Sequence, residues 1–154
     1  MNNNSNDRPS TAWILIWLQI LLSLGAIGGG LVFLIAPDGH LMHMPLTMLK
    51  NTPFSNFLIP GAILFTFLGI YPMAVAYSLW HQPSWIWPNT INPFKQYHWS
   101  WSSSLAAGII LIIWITVQVQ MIEKHFLHLI YFIWGIFLIF FSLLPNVRKY
   151  YKIH

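Results

Sequence analysis

The residues best suited to bind or react fall in two short polar stretches. Residues 37–56 read PDGHLMHMPLTMLKNTPFSN and hold His40, Met42, His43, Met44 and Met48, with Asp38 just ahead of them. Further on, Glu123, His125 and His128 stand at the start of a long apolar run. Imidazole with thioether suits copper, and imidazole with carboxylate suits zinc. His125 and His128 are three apart, a spacing that puts both on one face of a helix. A copper or zinc site made of His40, His43, His125 and His128 would therefore need the two stretches to meet at one membrane face. The competing reading makes them interfacial side chains, and no C-x-x-C or H-E-x-x-H frame organises them as ligands. His81 and His98 flank a second loop, but a bis-histidine haem would draw its ligands from inside a bundle, and every histidine here lies at a helix end or in a loop.

A different chemistry is available to Trp114 and Gln118, one turn apart in an apolar run. Apolar pockets orient their ligands with a few polar groups, so this pair is a candidate ligand-binding element. Gln120 lies about 200° around the helix from Gln118 and cannot share its partner. No catalytic residue emerges: Ser102, Ser103 and Ser104 have no acid–base partner by spacing. Gly28, Gly29 and Gly30 fall inside an apolar run, not after a strand, and cradle no phosphate.

The elements that must position these residues follow from composition. The chain has 154 residues, of which 56% are hydrophobic and 6% charged. Soluble domains carry roughly 25% charged residues, so this chain cannot clothe a water-facing surface. Four apolar runs, at about residues 12–36, 57–80, 99–122 and 127–144, are each long enough to cross a hydrocarbon core of roughly 30 Å as helix. The first is too long for a signal peptide and lacks a small-x-small cleavage site. The fold class is thus all-α, a bundle of four transmembrane helices over residues 12–145, with a disordered tail at 1–11 and a basic tail at 146–154. Pro60 falls in the first turn of the second run, where its missing N–H costs little. Pro72 sits in mid-span and predicts a kink. Gly25 and Gly29 form a G-x-x-x-G, and Ser104 and Gly108 repeat that spacing in the third run; such small residues let helix backbones touch. Gly135, alone among Trp, Ile and Phe, reads as lipid-facing.

Arg8, Lys95, Arg148, Lys149 and Lys152 fall on the side of the tails and the 81–98 loop, against Lys50 and Lys124 on the other. That bias places both termini in the cytoplasm. Trp13, Trp17, Trp80, Trp85, Trp87, Trp99 and Trp101 also lie toward the tail side, in keeping with a loop seated among lipid headgroups. No Asp, Glu, Lys, Arg or His occupies mid-span, where proton relays and ion-coupled transporters place one. The absence of cysteine excludes thiol redox pairs and disulfides. The dispersed basic residues argue against nucleic acid as a partner.

Gly28-Gly29, Pro37-Asp38-Gly39, Met44-Pro45-Leu46, Thr52-Pro53-Phe54 and Phe57-Leu58-Ile59-Pro60-Gly61, with Trp114-Ile115 and Gln118, form a pattern that resembles small uncharacterised bacterial four-helix membrane proteins. In size the chain is also similar to DoxX-like proteins. The resemblance implies a bacterial inner-membrane setting and no activity. The sequence thus points to a non-enzymatic, multi-pass membrane protein that binds a partner protein, a second copy of itself or a lipophilic small molecule. An outer-face metal protein is the runner-up, and an oligomeric pore or transporter component comes third.

Overall fold

The computed structural model describes residues 7–154. The long helices are α1 (Ser10–Ile35), α2 (Leu58–His81), α4 (Trp99–Met121) and α5 (Phe126–Leu143), each long and apolar enough to cross a membrane. Two short helices, α3 (Ile86–Ile91) and α6 (Pro145–Tyr150), lie at the tail end of the bundle. No strand forms among the described residues; one isolated antiparallel bridge joins Tyr97 to Lys152. Helix α1 starts at Ser10, after an extended Pro9, so Ser10 and Thr11 belong to the helix and not to the expected tail. The first six residues of that tail lie outside the described residues.

The four long helices form a ring in which α1 packs on α2 and α5, and α4 on α2 and α5. Helix α1 buries Ala12, Leu15, Ile16, Gln19, Leu22, Ser23, Ala26 and Gly30. That stripe has the 3.6-residue period of one helix face. It corrects the expected packing face, because Gly25 and Gly29 each sit one residue, or about 100°, away from it. A Cβ at Gly29 would meet only Leu64 Cδ2, at an ordinary 3.5 Å, and one at Gly25 only Tyr131 Oη at 3.8 Å. The close approach of α1 to α2 is at Gly30 instead, where a Cβ would come within 2.8 Å of the Phe65 backbone. Gly108 does lie at a tight contact, and its counterpart is Gly135: an added Cβ would stand 3.0 Å from Gly135 O in one case and 3.2 Å from Gly108 O in the other. Gly135 is buried and does not face lipid.

Around Pro72 the helix is not simply broken. Leu64–Ile70 takes a wider π-helical winding, and α-helix resumes at Tyr71 and runs to His81. Wider turns of this kind leave backbone carbonyls to be satisfied from outside the helix. Ser23 Oγ donates to Gly69 O at 2.6 Å.

Polar groups inside the ring are stitched together. Gln19 Nε2 donates to Ser104 Oγ at 3.1 Å, Ser104 lies 3.0 Å from Ser142 Oγ, and Ser142 Oγ donates to Leu138 O at 2.7 Å. Trp101 Nε1 donates to Ser142 O and Trp134 Nε1 to Leu18 O.

The tail end is tied by its loops. Asn92 Nδ2 donates to Tyr97 O, and Lys95 Nζ donates to Asn89 O and Thr90 O at the end of α3. The basic tail is helical and docked: Tyr151 is buried and donates to Leu79 O at 2.8 Å, and His98 N donates to Tyr151 O. Burial raises the Tyr151 phenol well above its usual range. His98 caps α4 by accepting from Ser100 N on Nδ1. Desolvation holds its imidazole below the ordinary value, partly offset by bonds to the Pro83 and Gln82 carbonyls.

Two outcomes follow from these contacts. Gly135→Leu should lose about 1–3 kcal/mol to overpacking against Ile112 and the Gly108 carbonyl, whereas Gly29→Leu should keep near wild-type folded yield in detergent; equal losses would contradict the assigned contacts. For His98, the folded protein favours the neutral ring. The unfolded chain therefore takes up a proton below about 6.5 that the fold resists, and stability falls as pH drops through that value. Above it the residue contributes no slope. The wild-type thermal midpoint should drop on acidification more than that of His98→Asn, which keeps a capping acceptor without a titrating ring; identical pH profiles would remove His98 from the account.

Candidate functional site

At the end of the ring opposite the tails, the helices leave a space. The first turns of α2 pack on α1, while α4 is met chiefly by the second half of α2, from Tyr71 onward. Where α2 and α4 stop packing together, a cavity of about 420 Å³ opens among all four long helices. On its α1 wall Gly25 and Gly29 lie beside the packed stripe and carry no side chain to fill the space, and the exposed Gly28 stands at its edge. Trp114 and Gln118 of α4 line it together, as their one-turn spacing predicts, and Gln120 points elsewhere and is exposed.

The loop between α1 and α2 closes one side. Its backbone is folded back on itself: Phe57 N donates to Pro37 O at 2.8 Å, and Met44 N to Gly39 O at 3.0 Å. Gly39 has φ 78°, and a Cβ there would collide with Met44 O, so only glycine fits the turn. Phe33 and Phe57 stack at 5.0 Å. Two 3₁₀ turns, His40–Met42 and Leu46–Leu49, follow, and Met42 and Met44 reach the cavity wall.

From α5 come His128 and Tyr131. His128 is part of a cap built from two imidazoles: its Nδ1 accepts from His125 N at 3.0 Å, and His125 Nδ1 accepts from Leu127 N at 3.4 Å. Accepting the His125 N–H leaves Nδ1 of His128 without a proton, so the ring carries its hydrogen on Nε2. The polar lining of the cavity is then rich in donors: the Nε2–H of His128, the Trp114 indole, the Tyr131 hydroxyl and the Gln118 amide. No Lys, Arg, Asp or Glu lines it among the described residues.

The four histidines weighed as a copper or zinc site stand at separate places in the structure. His40 and His43 stand exposed on the loop, and His40 Nδ1 is 2.5 Å from Asp38 Oδ1, which holds the Asp38 carboxyl below its usual range. His125 is exposed, and His128 lines the cavity beside the methionines. Among the described residues no three His, Asp or Glu side chains are grouped to hold an ion. His81 stacks on Tyr77 at 4.3 Å, and His98 lies against Trp99. Met42 and Met44 were singled out in the sequence for copper chemistry and not for an apolar cavity, while Tyr131 and the three glycines are site residues that sequence reasoning missed. The glycines carried a signal, a small-residue face, but it was assigned to helix contact. Comparison with protein-family profiles, with curated proteins and with solved structures gives no match for this chain.

Proposed function

We propose that this multi-pass membrane protein binds one lipophilic small molecule in the four-helix cavity and catalyses no reaction there. The observation that carries this reading is the cavity itself, apolar on most of its wall and open where three glycines leave room. Its volume falls within the range of small-molecule sites. The donor-rich lining without a fixed charge favours an uncharged ligand bearing a hydrogen-bond acceptor, such as a carbonyl. A charged headgroup would enter with no counterion to offset its desolvation.

The test is direct. Protein purified from native membranes should release a stoichiometric apolar compound on organic extraction. Gly29→Leu, whose side chain would occupy the cavity while its Cβ fits, should abolish that compound without loss of fold. Gln118→Leu should weaken retention by about tenfold, the worth of one buried hydrogen bond. A wild-type extract without such a compound, or one unchanged by Gly29→Leu, would overturn the reading.

We place the cavity end on the outer side of a bacterial inner membrane, with both termini cytoplasmic, because the tail side carries five of the seven Lys and Arg residues. A reporter active only in the cytoplasm should work when fused after His154; activity of an export-dependent reporter at that position would reverse the assignment.

A further inference from the structure

We propose a second, independent site at the tail end, for a phospholipid with one anionic phosphodiester and a hydroxylated, uncharged headgroup, of which phosphatidylglycerol is the simplest example. Two cavities meet there at a common wall of Trp85 and Trp99, whose rings stack at 5.5 Å with planes 20° apart. Trp99 is held in place by donating from Nε1 to Pro83 O at 3.0 Å.

The two cavities differ in chemistry. On the wall of one, of about 650 Å³, the polar Gln82, Ser84, Asn89, Thr90, Lys95 and His98 interrupt a surface that is otherwise apolar. The other, of about 300 Å³, runs toward the bundle past Tyr71, Ala74, Val75, Trp87, Ile91 and Ala106. A chamber that carries most of the polar side chains and the one charge, beside a more apolar one across a Trp pair, matches the head and one chain of an amphiphile. The exposure of the neighbouring helix fits as well. Ile86, Trp87 and Ile91 of α3 are 85%, 70% and 72% exposed, so this short helix offers its apolar side chains to the interfacial layer where indoles settle.

Charge fixes the class of lipid. Lys95 is the one side chain with a permanent charge lining either cavity among the described residues. Two of its three N–H groups are spent on Asn89 O and Thr90 O, at 2.7 and 2.8 Å. These bonds fix the ammonium in position and leave one donor. Desolvation disfavours charge on the His98 imidazole, whose Nδ1 accepts the capping bond from Ser100 N. One fixed positive charge answers one phosphodiester, and the amide and hydroxyl groups of Gln82, Ser84, Asn89 and Thr90 can bond a headgroup's hydroxyls.

The experiment uses the full chain in nanodiscs of equal phosphatidylcholine and phosphatidylglycerol, with retained lipid counted by native mass spectrometry. One phosphatidylglycerol per chain should survive release in preference to phosphatidylcholine. Lys95→Gln should cut that retention by about tenfold, while Lys149→Gln, the same charge change on the exposed tail, should leave it intact. Ala106→Phe should reduce it by filling the apolar chamber, which keeps the proposal open to test should Lys95→Gln fail to fold. Equal retention of the two lipids by the wild type would overturn the proposal, as would equal losses in the two lysine variants. Competition by water-soluble glycerophosphoglycerol as effective as that of the lipid would also overturn it, since the chain-binding chamber would then contribute nothing. Each outcome is independent of the four-helix cavity, whose lining shares no residue with this site.

Discussion

One chain of hydrogen bonds sets the arrangement of this bundle. Inside hydrocarbon a polar side chain has no water to fall back on, so its partner must come from another helix or from its own backbone. The direction of the chain is determined by proton counting. Ser142 spends its single proton on Leu138 O, so it can only accept from Ser104, and Ser104 can then only accept from Gln19 Nε2. The amide orientation of Gln19 follows from the same logic, and its Oε1 is left buried without a partner among the described residues. This is the one strong tie across the diagonal of the ring, between α1 and α4, which otherwise hardly touch. Such bonds are worth about 0.6–2 kcal/mol each in membranes, but losing Ser104 would also strand Gln19, so the cost of breaking the chain exceeds one bond.

Anchored at that level, the rest of the bundle is asymmetric. On the tail side, Trp101 and Tyr151 place their polar tips on backbone carbonyls of other helices, and the bridge from Tyr97 to Lys152 ties the last residues of the chain to the loop before α4. Toward the opposite end, the first turn of α5 is capped by its own two histidines, and the α1–α2 loop is folded largely on itself. Aromatic and aliphatic contacts, not interhelical hydrogen bonds, hold that end together.

Much of this was legible in the sequence, and the part that was not has one cause. Four apolar runs gave four spans with ends correct to within a few residues, since length and hydropathy decide whether a segment can cross a membrane. Rotation about each axis was not legible. A helix that is apolar all round lacks the contrast between faces that marks a buried side. In α1 the few polar residues were the usable markers: extending Gln19 and Ser23 by helical spacing leads to Ala26 and Gly30, the true contact face, while the G-x-x-x-G at Gly25 and Gly29 pointed 100° away from it. Gly135 was misread for the same reason, because its neighbours in sequence say nothing of Gly108 across the interface. Pro72 announced a disturbance but not its form; the π-helical stretch depends on what Ser23 offers from α1. The pairing of Trp114 with Gln118 was readable from local spacing alone, whereas Met42, Met44 and Tyr131 joined them only through tertiary structure.

The misread glycines carry a more general argument. A G-x-x-x-G in a membrane helix removes side-chain volume, and that absence can be used in two ways: to admit another backbone, or to leave room for something that is not protein. The two uses are separated by what a Cβ would meet. At Gly30, Gly108 and Gly135 it would meet backbone at 3.2 Å or closer, so the volume is already taken. At Gly25 and Gly29 it would meet only the side-chain tips of Tyr131 and Leu64, at 3.8 and 3.5 Å. An empty apolar space forfeits the dispersion contacts of its lining, with no hydrophobic gain from solvent to offset them inside a bilayer. The interhelical polar bonds of the other half make that deficit tolerable. A bundle of this size keeps a cavity because half of its length is tied firmly enough that the other half need not be filled by its own side chains.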